Sequence, residues 1–227
     1  PKVVAAFRDY LENKPTKQLL ATAVKNVTTP SETAVAPAEG YGVDFVKKSM
    51  APTAKSNTDA FKSLNNGMKL PAVGFGTWQM EGDVVYEAVV AALAAGYRHI
   101  DTAQSYQNEK EVGRALKDSK IPRSEIFLAT KLSEEVDYGK GKTRQRALQQ
   151  MKDLGVSYLD LYMIHGPTED DQKNKDTWQD LEQLVNEKKV RAIGVSNYEV
   201  KDLEKLLSYA KIRPVTVQNK MDPYLFG

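Results

Sequence analysis

From about Phe61 onward, the spacing of apolar positions alternates between two patterns. Runs such as Phe127-Leu128-Ala129, Leu161-Tyr162-Met163-Ile164 and Ala192-Ile193-Gly194-Val195 are apolar at successive positions, the mark of strands buried on both faces in a parallel sheet. Six strands are predicted, at residues 73–77, 97–103, 126–131, 158–165, 190–196 and 215–219. Between them apolar residues recur three and four apart, predicting helices at 84–95, 107–118, 143–154, 176–188 and 200–211. Ahead of these units, residues 61–64 and 68–70 flank Asn65-Asn66-Gly67 and read as a hairpin.

Strand starts recur about every 24 to 32 residues and no unit reverses the order. That leaves a doubly wound sheet or a barrel of eight strand–helix units. A dinucleotide-binding sheet needs a complete glycine-rich turn after its first strand, and Gly74-Phe75-Gly76 supplies only the first half. The expectation is therefore an α/β fold, a (β/α)8 TIM barrel with its first six strands present. Closure needs two more, expected beyond Gly227, and the opening on Pro1 reads as a cut within a longer polypeptide. An open six-strand arc would expose its edges, so this stretch alone is expected to be insoluble or unable to bind a cofactor.

Upstream the pattern fades. Val3, Phe7 and Leu11 fall at helical spacing, and Thr16 could cap a second short helix through Leu19, Leu20, Ala23 and Val24. Residues 28–58 are rich in Pro, Ala, Thr, Ser and Gly and read as a linker. Residues 1–60 are thus taken as an N-terminal extension and 61–227 as the barrel domain. With one arginine, Arg8, and six acids, the extension does not resemble an arginine-rich transit peptide. The expected location is cytoplasmic, with targeting by residues upstream of Pro1 left open.

Charge and composition narrow the choice further. Net charge is +2, and eight of 32 basic and six of 30 acidic residues lie in the extension, so the barrel segment is electrically balanced. Neither a nucleic-acid partner nor a membrane surface is expected. No apolar run reaches the roughly 20 residues of a membrane helix. Cysteine is absent and histidine occurs twice, which excludes thiolate chemistry and leaves little for a metal site.

Barrel active sites are built at the carboxyl ends of the strands. Those ends carry Thr77 and Trp78, then Asp101 with Tyr106 five residues on, then Lys131, His165, Ser196 with Asn197, and Gln218. Singly, each has a plain structural reading: a rim salt bridge, a helix-start aromatic, a core histidine. His99 lies mid-strand and reads as structural. Gly139-Lys140-Gly141-Lys142-Thr143 sits where a phosphate-binding loop could, but Val136 stands where that loop requires glycine, and Glu134 and Glu135 would repel a triphosphate.

The stretch Gly96-Tyr97-Arg98-His99-Ile100-Asp101-Thr102-Ala103, with Glu109 and Gly113 at fixed offsets, resembles the first signature of the aldo-keto reductase family, of the aldose-reductase-like kind. Gly194-Val195-Ser196-Asn197-Tyr198 is similar to its second, and residues 70–78, 129–132 and 160–165 match as well. The resemblance implies reduction of aldehydes or ketones by NADPH, NADH remaining open, on a small carbonyl substrate by a monomer. It implies Tyr106 as general acid, Lys131 as the group that lowers its pKa, Asp101 as the lysine's partner and His165 as orienter of the carbonyl. Ser196, Asn197 and Gln218 would hold the nicotinamide amide, with Thr77 and Trp78 lining the cofactor and substrate space. The alternative is a non-catalytic nicotinamide-binding regulatory or channel-associated subunit, against which the complete set Asp101, Tyr106, Lys131 and His165 argues.

Elementary electrostatics allows these roles. A free phenol has a pKa near ~10, and an ammonium ~4 Å away at an effective dielectric near 20 offers roughly 4 kcal/mol, up to about three pH units before desolvation. Asp101 would cancel part of that charge, so it reads mainly as a positioner that keeps a buried lysine ionised. Gly166 stands where most relatives place an aromatic, which leaves the substrate class open. The aromatic that stacks on the nicotinamide and the basic residues that grip a 2′-phosphate would lie in the two further strands.

Overall fold

Along Phe127–Leu132 the side chains alternate between two surroundings, and that alternation organises the molecule. Leu128 and Leu132 join a large apolar cluster under the helices, whereas Phe127 and Ala129 join a smaller one with Leu161, Met163 and Ala192. A strand places successive side chains on opposite faces, so the first cluster lies outside the sheet and the second in its concave interior. The computed structural model describes residues 60–133 and 135–221. The helices expected within residues 1–27 and the linker at 28–58 lie outside the described residues.

Two short strands, β1 (Phe61–Ser63) and β2 (Lys69–Pro71), pair antiparallel with Ser63 opposite Lys69. The expected Asn-Asn-Gly turn joins them, with Gly67 at φ 82°, a left-handed conformation that suits glycine. Asn65 donates to the carbonyl of Pro214 and Asn66 to that of Arg191, both just ahead of later strands, and Met68 and Leu70 pack on the inner cluster. The hairpin therefore floors the amino-terminal end of the sheet.

Six parallel strands follow in sequence order: β3 (Phe75–Gly76), β4 (His99–Asp101), β5 (Phe127–Leu132), β6 (Leu161–Ile164), β7 (Ile193–Ser196) and β8 (Val217–Gln218). Each pairs with its sequence neighbours, and β3 and β8 form the edges. The sheet curls: Gln218 on β8 reaches Asp101 on β4 at 3.0 Å across the interior. This is the expected (β/α)8 architecture with six of its strands.

Five helices cover the convex face: α1 (Gly82–Ala94), α2 (Glu109–Asp118), α3 (Lys142–Asp153), α4 (Asp171–Asn186) and α5 (Val200–Tyr209). Their buried stripes include Val85, Val89 and Leu93 on α1 and Trp178, Leu181 and Leu184 on α4. Each such Leu or Val contributes about 1.5–3 kcal/mol by leaving water. Gly113 lets α2 and α3 approach closely, since a Cβ there would stand 2.6 Å from the Leu154 carbonyl oxygen. α5 buries only Leu206, as expected of the helix beside an edge strand. α4 begins five residues before its apolar pattern does, because Asp170 accepts the Lys173 N–H and caps a polar first turn. No described helix is long and apolar enough to cross a membrane.

Candidate active site

Period-two alternation sends Asp101, Lys131 and Ser196 inward, since they share a face with His99, Phe127 and Gly194. His165 continues the inner phase of Leu161 and Met163, and Gln218 pairs with Ser196. Five of the residues singled out at strand ends thus converge on one rim.

At its centre is Lys131, 1% exposed. Its ammonium lies 2.5 Å from Asp101 Oδ1, donates to the Thr102 carbonyl at 3.0 Å and reaches the Tyr106 hydroxyl at 3.5 Å. A charge taken this far from water needs such a set, because desolvation costs several kcal/mol per ion. Asp101 in turn accepts from Gln218 Nε2 at Oδ2.

Tyr106 arrives differently from the sequence expectation. The helix does not start at Gln107. A 3-10 turn at Gln104–Tyr106 ends on Gln107 in the left-handed region (φ 54°), and α2 begins at Glu109. The turn swings the phenol over the rim, where its ring meets His165 edge-on at 5.7 Å and has the Lys131 ammonium 5.2 Å from its centroid.

The electrostatics also differ from expectation. Burial first, and the Asp101 charge second, push the Tyr106 phenol up to about 12. The Lys131 ammonium lies nearer Asp101, at 2.5 Å, than the phenol oxygen, at 3.5 Å. The phenol therefore keeps its proton throughout the neutral range. His165 is held below its usual value by burial and then by Lys131, which favours neutral imidazole.

Ser196 donates to the Gln218 carbonyl at 2.7 Å, and Asn197, at φ 56°, donates from Nδ2 to the His165 carbonyl at 2.7 Å. These bonds tie the ends of β6, β7 and β8 together. Gln218 Nε2 gives one bond, to Asp101, so its second N–H and its side-chain carbonyl match the donor and acceptor of a carboxamide. The polar set at this rim fits a nicotinamide amide in its chemistry. Trp78, two residues past the end of β3, is 59% exposed. Thr77 is not brought to the rim: Gly76 pairs with Asp101 in the inner phase, so Thr77 faces outward, fully buried against Thr102 and Asn108.

Two groups of residues emerge only from the structure. Ser133 and Ser105 each bring a hydroxyl to His165 Nδ1, and Gln104 accepts the Ser133 N–H; Ser133 keeps the inner phase of Lys131, a signal present in the sequence. Behind the sheet, Gln150 Nε2 donates to Glu109, Thr130 and the Lys131 carbonyl, while Tyr162 donates to Gln150 Oε1 at 2.7 Å. Burial raises the Glu109 pKa, partly offset by bonds from Thr130 and Gln150. A polar cavity of about 600 Å³ between α4 and α5 lies beside the rim, and of the site residues only Asn197 lines it.

Known proteins match this chain in sequence and fold. The sequence model of the Aldo/keto reductase family matches residues 72–226. An aldo-keto reductase of Mycolicibacterium smegmatis is 44% identical over 163 residues, 72% of this chain and 59% of that protein. Glyoxal reductase of Bacillus subtilis is 42% identical over 175 residues, covering 77% and 61%. Among solved structures, Bombyx mori aldo-keto reductase in complex with NADP superposes with a TM-score of 0.67 at 34% identity, over 72% of this chain and 59% of that one. The chain spans about three-fifths of the length of such relatives. By its sequence, its six parallel strands and the residues gathered at their carboxyl ends, the chain belongs to the aldo/keto reductase family.

Proposed function

We propose that the polypeptide containing this chain reduces small aldehydes and ketones to alcohols, with Tyr106 as the general acid and NADPH as cofactor. The observation that carries this is the placement of a buried, Asp101-paired Lys131 3.5 Å from the hydroxyl of a phenol packed edge-on against His165. When bound, the nicotinamide supplies a hydride to the carbonyl carbon. The chain's residues handle the oxygen. His165 orients it, and Tyr106 OH delivers a proton to it as negative charge develops. Lys131 stands beside the phenolate left behind, and Asp101 holds the lysine's ammonium in place at 2.5 Å. Ser196, Asn197 and Gln218 hold the carboxamide, and Trp78 lines the open side. Thr77, buried, fixes the turn that carries Trp78. In this reading residues 61–227 belong to the barrel domain, preceded by the extension 1–60.

NADPH turnover with a small aromatic aldehyde, measured on the complete polypeptide, tests the assignment. Tyr106→Phe is expected to lower kcat by about 10²- to 10⁴-fold while cofactor affinity is retained. An unchanged rate would show that the proton comes from elsewhere.

A further inference from the structure

We infer that Ser133 is a positioning residue that fixes the tautomer of His165, so that the ring offers an N–H at Nε2. The inference rests on the reading of His165 as the group that meets the carbonyl oxygen. Its warrant is a hydrogen-bond count. Ser133 Oγ lies 2.7 Å from His165 Nδ1, and Ser105 Oγ lies 3.5 Å from the same nitrogen. A serine hydroxyl has one proton to give and two lone pairs to receive. One lone pair of Ser133 Oγ accepts the backbone N–H of Ser105 at 3.3 Å, and among the described residues Nδ1 is the one partner able to receive the hydroxyl proton, which would otherwise go unused.

Ser133 is itself held from a second side. Its backbone N–H donates to Gln104 Oε1 at 3.0 Å, and Gln104 Nε2 donates to Asp137 at 2.6 Å. The imidazole is fixed too: Asn197 grips its backbone carbonyl, and the Tyr106 ring stands against its face.

A neutral imidazole carries one N–H. If Nδ1 accepts from Ser133, the proton sits on Nε2. Burial and the neighbouring Lys131 ammonium keep the ring neutral. The consequence is selective, because a carbonyl oxygen only accepts hydrogen bonds. An Nε2–H recognises it, whereas the other tautomer would set a lone pair against it.

The chain contains two histidines, so ¹⁵N-histidine labelling of the complete polypeptide gives two imidazoles, told apart with a His99→Phe variant. At pH 7.5, His165 is expected to carry its proton on Nε2 alone. Ser133→Ala is expected to give a mixture of tautomers and to lower kcat/KM for the aldehyde by about tenfold, the worth of one hydrogen bond. Cofactor KM should not change, and Ser133→Thr should restore both readouts. A proton on Nδ1 or on both nitrogens of the wild-type ring would overturn the inference, as would a Ser133→Ala protein that keeps the pure Nε2–H form. The tautomer is read without turnover, so its failure is separate from the failure of Tyr106 as the acid.

Discussion

Aspartates hold cations at both ends of the sheet, and the two clusters have different uses. At the amino-terminal end Asp160 binds Arg123 at 2.7 Å and Arg191 at 2.8 Å, and it accepts the Leu128 N–H. At the carboxyl end Asp101 binds one ammonium and one amide. Both carboxylates are largely buried, and both sit next to strand termini rich in apolar residues. The difference is in the partners. Guanidinium stays charged at any working pH and matches a carboxylate in fixed geometry, so the Asp160 cluster can only fasten β5, β6 and β7 together. Around Asp101 stand a phenol and an imidazole with displaced pKa values, so a proton can move there. A buried ion pair becomes a candidate centre through the titratable groups beside it.

The sharpest way to test that contrast is to break the ion pairing at each end. Lys131→Met should lower kcat by about 10²-fold or more in steady-state assays, since it removes the charge beside the phenolate and strands Asp101. Asp160→Asn should act on stability instead. Breaking a buried pair costs roughly 3–5 kcal/mol, but Arg123 and Arg191 are partly exposed, so a loss of about 2–3 kcal/mol in urea unfolding is expected with kcat retained. If Asp160→Asn lost kcat while folded, the division of labour between the two ends would fail.

The two histidines give a finer version. His99 lies in the interior near the floor, edge-on to Phe127 at 5.1 Å, and neither ring nitrogen makes a hydrogen bond of normal geometry among the described residues. Burial lowers its pKa, outweighing smaller pulls upward from Asp101 and the backbone at Pro71. Both rings therefore prefer to be neutral when folded, while the unfolded chain takes up protons near pH ~6.5. Where the unfolded state binds more protons, stability rises with pH. Stability should accordingly be full above about pH 6.5 and fall as the pH drops below it. His99→Phe should weaken that fall in pH-dependent melting and leave kcat unchanged; an unaltered acid limb would mean the ring is not buried neutral.

The smallest effect is expected at Tyr198. Its hydroxyl is buried and finds no partner among the described residues, and burial raises its pKa. Tyr198→Phe should change stability by no more than about 0.5 kcal/mol, or raise it, because removing an unpaired buried polar group costs little. A loss above ~1 kcal/mol would reveal a bond to that hydroxyl.

The fold and the rim were legible for the same reason. A run such as Phe127–Leu132 announces a doubly buried strand, and the polar residue that ends it in the inner phase must face the interior; Asp101, Lys131, His165, Ser196 and Gln218 all follow from this. What escaped depends on local turns. Nothing at Gln107 announces a left-handed residue, so the helix was read from Gln107 rather than Glu109 and the 3-10 turn that lifts Tyr106 was read as loop. Thr77 was assigned to the rim by its place at a strand end, whereas its phase sends it outward. The phenol's raised pKa follows from its burial and from the Asp101 charge, which depend on how the turn seats the ring and which sequence does not carry.

The bond from Gln218 to Asp101 spans 117 residues, while every strand of the sheet pairs only with its sequence neighbours. During synthesis the sheet can therefore grow strand by strand as the chain emerges, with little entropy lost to long loops. The Lys131–Asp101 pair needs only β4 and β5, so it can form early. Gln218 arrives last, alongside the Pro214 carbonyl that receives Asn65 from a hairpin made 149 residues before. The rim and the floor thus each receive a clamp from the same late segment. A nascent chain halted before β8 would hold its charge pair yet lack both clamps, so ribosome-bound intermediates should gain protection of the floor and of the rim in one step.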